Sequence, residues 1–83
     1  MKLTKDQAQT RHALQRAQER YEVNFTPGDL KHIRTLIQKG YSRYLKKCTN
    51  RVTEHMVVYQ DRDFRVAYDK SRNQICSFLP LED

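Results

Sequence analysis

Glycine, proline and cysteine are scarce in this chain, two of each in 83 residues. Few glycines and prolines among 37% hydrophobic and 31% charged residues argue against a disordered tail and fit a small, charge-rich globular domain. No internal repeat or low-complexity segment is present. The two cysteines, Cys48 and Cys76, stand in no C-x-x-C pair, and His12, His32 and His55 show no metal-ligand spacing. Neither a metal nor an organic cofactor is expected. Both thiols are expected to be reduced, with Cys76 packing as a small hydrophobe on a strand. No apolar run approaches the roughly 20 residues of a membrane-spanning helix, and no apolar signal-peptide segment opens the chain. The expectation is a soluble, cytoplasmic protein with no membrane partner.

Charge of one sign dominates. Sixteen Lys and Arg against ten Asp and Glu leave a net +6, with a pI near 9.6. Such a balance favours a polyanionic partner, either nucleic acid or an acidic protein surface. The length predicts one domain over 1–83, a helical part over 1–40 and a sheet over 41–83, with room for one modest core.

The sheet is organised by residues 51–80. Runs rich in β-branched and aromatic residues over 52–59, 64–69 and 74–79 are separated by the polar breaks 60–63 and 70–73. Short apolar runs joined by short polar breaks predict consecutive hairpins, a β-meander. With a four-residue loop at each break, Tyr59 faces Phe64 and Asp69 faces Gln74. Alternation then places His55, Val57, Tyr59, Phe64, Val66, Tyr68, Ile75, Ser77 and Leu79 on a core face. It places Glu54, Met56, Val58, Arg65, Ala67, Asp69, Cys76 and Phe78 on the other.

Two helices precede the sheet. Thr4 and Gln7 form a capping-box pattern, after which Thr10, Ala13, Leu14, Ala17 and Tyr21 fall on one side of a helical wheel. Thr26-Pro27-Gly28-Asp29 is a second start signal, with Thr26 as the N-cap, Pro27 at the first helical position and Asp29 completing the box. That helix runs to about Lys39, buries Leu30, Ile33, Leu36 and Ile37, and stops at Gly40. The alternation over 41–48 predicts a basic edge strand or an irregular segment. The fold class is therefore α+β, two N-terminal helices packed on one face of a three- to four-stranded antiparallel meander.

The most basic stretch lies between helix and sheet. Lys39, Arg43, Lys46, Lys47 and Arg51 interleave with Tyr41 and Tyr44, and no acidic residue occurs from Gln38 to Thr53. Cations neutralise a phosphate backbone while aromatics stack on bases, so these residues are candidates for binding nucleic acid or another partner. Lysines on an edge strand also deter aggregation without any ligand.

His12-Ala13-Leu14 with Arg16 and Arg20 in the first helix, Val66-Ala67-Tyr68-Asp69, and the terminal Ile75-Cys76-Ser77-Phe78-Leu79-Pro80 carry a resemblance. In helix-helix-meander order they resemble the barnase–EndoU–colicin–RelE ribonuclease toxin superfamily, with Ser77 where many relatives carry Thr. The chain also resembles compact prophage proteins, some of which are non-catalytic inhibitors. The resemblance implies a bacterial or phage-infected cell and a protein that binds RNA or a nucleoprotein, with metal-free RNA cleavage as one outcome. The other outcome is an inhibitor that binds a host protein or nucleoprotein defence complex. Cleavage needs a base, an acid and cations for the phosphorane. The available histidines are His12 and His55 and the available cations Arg51, Arg65, Arg16 and Arg20, of which His12, His55, Arg65 and Arg51 are the candidate catalytic set. His12 sits nearly opposite the apolar stripe of its helix, whereas His55 falls on the expected core face.

Overall fold

The computed structural model describes residues 4–81. The expected domain span of 1–83 extends beyond them at both ends. Helix α1 (Lys5–Tyr21) starts where Thr4 Oγ1 accepts the Gln7 N–H at 3.1 Å and Gln7 Oε1 accepts the Thr4 N–H at 3.0 Å. Both bonds satisfy donors that a helix start leaves orphaned. Helix α2 (Pro27–Gln38) opens the same way, Thr26 exchanging hydrogen bonds with Asp29. It closes in a Schellman motif: the Gly40 N–H reaches the Ile37 carbonyl and the Tyr41 N–H the Leu36 carbonyl, with Gly40 at φ 82°.

Strands β1 (Arg43–Lys47), β2 (Val52–Tyr59), β3 (Arg62–Asp69) and β4 (Gln74–Leu79) follow. They form one antiparallel sheet in sequential order. Two helices followed by a four-stranded antiparallel open sheet make an α+β fold. The basic segment after α2 is the edge strand β1, largely exposed along its length.

Two details of register differ from expectation. The β2–β3 loop is two residues long, not four: Tyr59 pairs with Arg62, and Gln60 and Asp61 form the turn at φ 53° and 61°. Two positive φ values define a turn whose twist matches that of the strands, so the hairpin closes tighter than its lack of glycine suggests. Because the register moves by two residues, the faces of β2 and β3 stay as expected. In β4 they do not. Ala67 pairs with Ser77 and Tyr68 with Ile75, leaving Cys76 as an extra residue. This bulge exchanges the faces beyond it. Phe78, expected on the open face, is fully buried, whereas Ser77 and Leu79, expected in the core, are only half-buried.

The core joins Ala13, Ala17 and Tyr21 of α1 and Leu30, Ile33 and Ile37 of α2 to Val57, Phe64, Val66, Tyr68, Ile75 and Phe78 of the sheet. Helix α1 runs along β4, and α2 packs on β2 and β4. The two alanines let α1 approach closely. Tyr21 at its end meets Phe64 edge-on at 4.9 Å between ring centroids, and Phe64 meets Phe78 at 5.9 Å. The Tyr21 hydroxyl donates to the Leu79 carbonyl and accepts the Arg65 N–H at 3.0 Å, tying α1 to both β3 and β4. Leu36, expected in the core, is half-buried.

The bulge yields a direct test. Replacing Phe78 by Ala should cost about 3–5 kcal/mol of unfolding free energy, as loss of a buried aromatic does. Leu79→Ala should cost about 1.5 kcal/mol or less, since that side chain stays partly in water. Urea denaturation of the two variants measures both, and the reverse ranking would mean that β4 has no bulge.

Candidate functional site

Beyond the end of α2 the sheet continues to β1, and a groove of about 210 Å³ opens between them. Tyr44 of β1, Thr53 and His55 of β2 and Tyr68 of β3 form its sheet wall, with Gln38 of α2 and Lys70 at its rim. Register accounts for the assembly. Tyr44 pairs with His55, Lys47 with Thr53, His55 with Val66 and Thr53 with Tyr68, so these side chains share one face. A bulge at Leu45 separates the pairing of Tyr44 from that of Lys46. It sends Lys46, opposite Glu54, to the other face, where ordinary alternation already places Arg43, opposite Met56. The cations of β1 therefore straddle the sheet edge.

His55 sits between two tyrosine rings, Tyr44 at 5.6 Å and Tyr68 at 6.2 Å, both edge-on. Its Nδ1 lies 3.2 Å from Ser42 Oγ and its Nε2 2.8 Å from Thr53 Oγ1. Burial pushes its pKa below the ordinary 6.5, so the ring is neutral near pH 7. The Tyr68 hydroxyl accepts from Gln38 Nε2 and donates to Asn73 Oδ1, which fixes its ring. The groove thus offers fixed aromatic edges, polar groups and Lys70, with no acidic side chain in its lining. The exposed residues of the basic stretch, Lys39, Tyr41, Arg43, Lys46, Lys47 and Arg51, flank it along β1 and its connections.

The four candidate catalytic residues are dispersed. Consecutive strand residues point to opposite faces, and Arg65, paired with Met56, lies on the face away from His55. Its guanidinium is held by Glu54, with Nη2 at 2.6 Å and Nε at 2.9 Å from Oε1. Burial pushes the Glu54 carboxyl up, but the Cys48 thiol, Arg65 and Lys46 more than offset this and hold it below its ordinary range. His12 is exposed on α1, which lies along β4, two strands from β2. Arg51 is exposed in the β1–β2 connection, where its carbonyl accepts the Lys70 N–H. That bond ties the Arg51 backbone to Lys70, but Arg51 is not among the residues lining the groove.

Other polar candidates have structural partners. Tyr59 donates its hydroxyl to Asp29 Oδ1 at 2.6 Å, a bond that raises its pKa to about 12. The Cys48 thiol donates to Glu54 Oε2 at 2.7 Å, and this bond with burial raises its pKa. Both cysteines are free. Burial first, then nearby Asp69, pushes Cys76 up to about 11, and its thiol rests on the Ala67 carbonyl at 3.3 Å. Among the described residues no cluster of His, Cys, Asp and Glu could hold a metal ion, and no helix is long and apolar enough to cross a membrane. Sequence reading missed Gln38, Thr53 and Lys70 as parts of the groove and Ser42 as a partner of its histidine. Lys70 adjoins the β3–β4 turn, and only the pairing of β2 with β3 places it beside β1.

Burial of His55 gives a signature in solution. Its folded-state pKa is depressed, so the unfolded chain binds the proton first as the pH falls. The stability it supports is complete above 6.5 and declines as the pH drops through that value toward the folded-state pKa. The lowered Asp29, Glu54 and Asp69 act only in the more acidic carboxylate range. Unfolding free energy should therefore fall as the pH drops through 6.5 toward the lower folded-state pKa, and His55→Gln should flatten that slope. Parallel slopes for the two proteins in urea titrations would contradict the neutral, buried ring. No protein-family profile, curated protein or solved structure matches the chain.

Proposed function

We propose that this protein binds single-stranded RNA, free or within a nucleoprotein, along β1 and the groove beneath it. One observation carries the reading: an exposed cationic edge lies next to a groove walled by tyrosine and histidine rings, with no acid in its lining. Lysine and arginine neutralise phosphates, and unpaired bases stack on aromatic side chains, for which Tyr44 and Tyr41, 56% and 71% exposed, are available. A duplex would keep its bases from the groove, which favours a single strand.

Binding without cleavage is the form this reading takes. General acid–base cleavage needs its groups within hydrogen-bond reach of one phosphate and its hydroxyl. His55 faces the groove with both ring nitrogens engaged, Arg65 is paired with Glu54 on the opposite face, and His12 is on a different element. The prophage-type likeness and the ribonuclease-toxin scaffold remain part of this proposal, with a cytoplasmic site of action.

A second reading, a non-catalytic inhibitor of a host protein, is favoured by one feature. Strand β1 ends the sheet, so its outer edge is unpaired and could accept an acidic strand of a partner.

Titration of a fluorescent single-stranded RNA at several salt concentrations tests the proposal. Replacing Arg43, Lys46 and Lys47 by Ala should lower affinity and flatten the log–log salt slope by roughly 0.7 for each phosphate no longer neutralised. Tyr44→Ala should cost about 1–3 kcal/mol of binding with little change in slope. The RNA should stay intact throughout. Equal affinities and slopes for all three proteins would remove this surface as the binding site.

A further inference from the structure

On the helical side of the fold, away from β1, a second pocket of about 80 Å³ lies between α1, α2 and the start of β4. Thr10, Lys31, Arg34 and Gln74 supply its polar lining. Arg34 Nη1 donates to the Asn73 carbonyl at 3.4 Å, but its Nε is buried without a hydrogen-bond partner. Among the described residues no other buried side-chain nitrogen or oxygen is left so. A buried donor of a charged group is costly to leave unpaired. A single water needs only about 10–15 Å³ of such space, so one water would leave most of this pocket empty. The two cations here, Arg34 and Lys31, have no carboxylate among the lining residues to neutralise them.

The pocket does not end there. It shares Thr10 and Pro27 with a shallow groove of about 420 Å³ between α1 and α2, whose other lining residues include Leu14 and Arg11. Leu14 belongs to the apolar stripe of α1 but is only partly covered by the core. A cationic recess with a missing acceptor thus opens directly onto a mainly apolar trough.

We propose that this recess and trough bind a small amphiphilic anion, the Arg34 side chain turning so that its buried Nε–H meets the carboxylate or phosphate head beside Lys31, with the short apolar tail lying along Leu14 and Pro27. An oxyanion supplies the acceptor that Nε lacks, and guanidinium suits both head groups. The site does not depend on RNA binding, because none of its residues belongs to β1 or to the groove beneath it.

The test follows the Arg34 Nε–H resonance by nitrogen–proton NMR in the full chain during titration with acetate, octanoate, inorganic phosphate and octyl phosphate. At least one octyl ligand should shift that resonance and bind about tenfold or more tightly than its short counterpart, since each buried methylene adds affinity. Whichever octyl ligand binds more tightly names the head group. Leu14→Ser should remove the preference for the longer ligand. Arg34→Gln should lower affinity by about tenfold, with its thermal midpoint checking that the fold is retained. A resonance unmoved by all four ligands would overturn the proposal, as would equal affinity for long and short ligands. If Arg34→Gln folds, undiminished affinity in that variant would overturn it too. If it does not fold, the wild-type resonance and Leu14→Ser still decide.

Discussion

Ile75 and Phe78 both reach the core although an odd number of positions separates them within one strand. A regular strand cannot do this, because its side chains alternate. The extra residue at Cys76 makes it possible, and the assembly of the core follows from it. Ile75 stays opposite Tyr68, Phe78 comes opposite Val66, and the Phe78 ring joins Phe64, Tyr21 and Phe25 in one aromatic cluster. The same shift brings Leu79 opposite Arg65, and the Tyr21 hydroxyl bridges the two backbones there. The anchoring of α1 thus depends on a single unpaired residue in β4.

Alternation also separates the chemistry of the molecule. Thr53 and His55 belong to one face of β2 and Glu54 to the other, and the same division sets Arg65 apart from Val66 and Tyr68. The acid–cation network of Glu54, Arg65, Lys46 and Cys48 is built on the face without helices, where its partners satisfy one another. The imidazole and tyrosines are built on the helix side, beyond the reach of α1. Two sets of polar residues intermixed in sequence therefore serve different ends, internal pairing on one face and an open aromatic groove on the other.

What could be read from the residues alone follows from how local each signal is. Thr4 with Gln7, Thr26 through Asp29, and Gly40 each announce a helix end within four residues, and the helices begin and end there. The Gln60-Asp61 turn has no glycine or asparagine to announce positive φ, and the bulge at Cys76 has no local mark at all. Those two features set register, and register decides what meets across the sheet. Tyr44, His55 and Lys47 were identifiable as separate candidates. That Tyr44 meets His55, or that Glu54 captures Arg65 eleven positions away, depends on strand pairing that no short stretch encodes.

The pairing of α1 with β4 has a consequence for how the chain is made. These are the first and last elements described, and Tyr21 reaches Leu79 across 58 positions. During synthesis α1 emerges before the sheet and lacks its main packing surface until β4 leaves the ribosome. Meanwhile β1 to β3 can zip by short hairpins, which close loops at little entropic cost. The nascent chain therefore carries a half-built sheet with Phe64 and Val66 uncovered, and a thinly apolar helix, polar enough to wait in water. Closure of the core is deferred until β4 has been made.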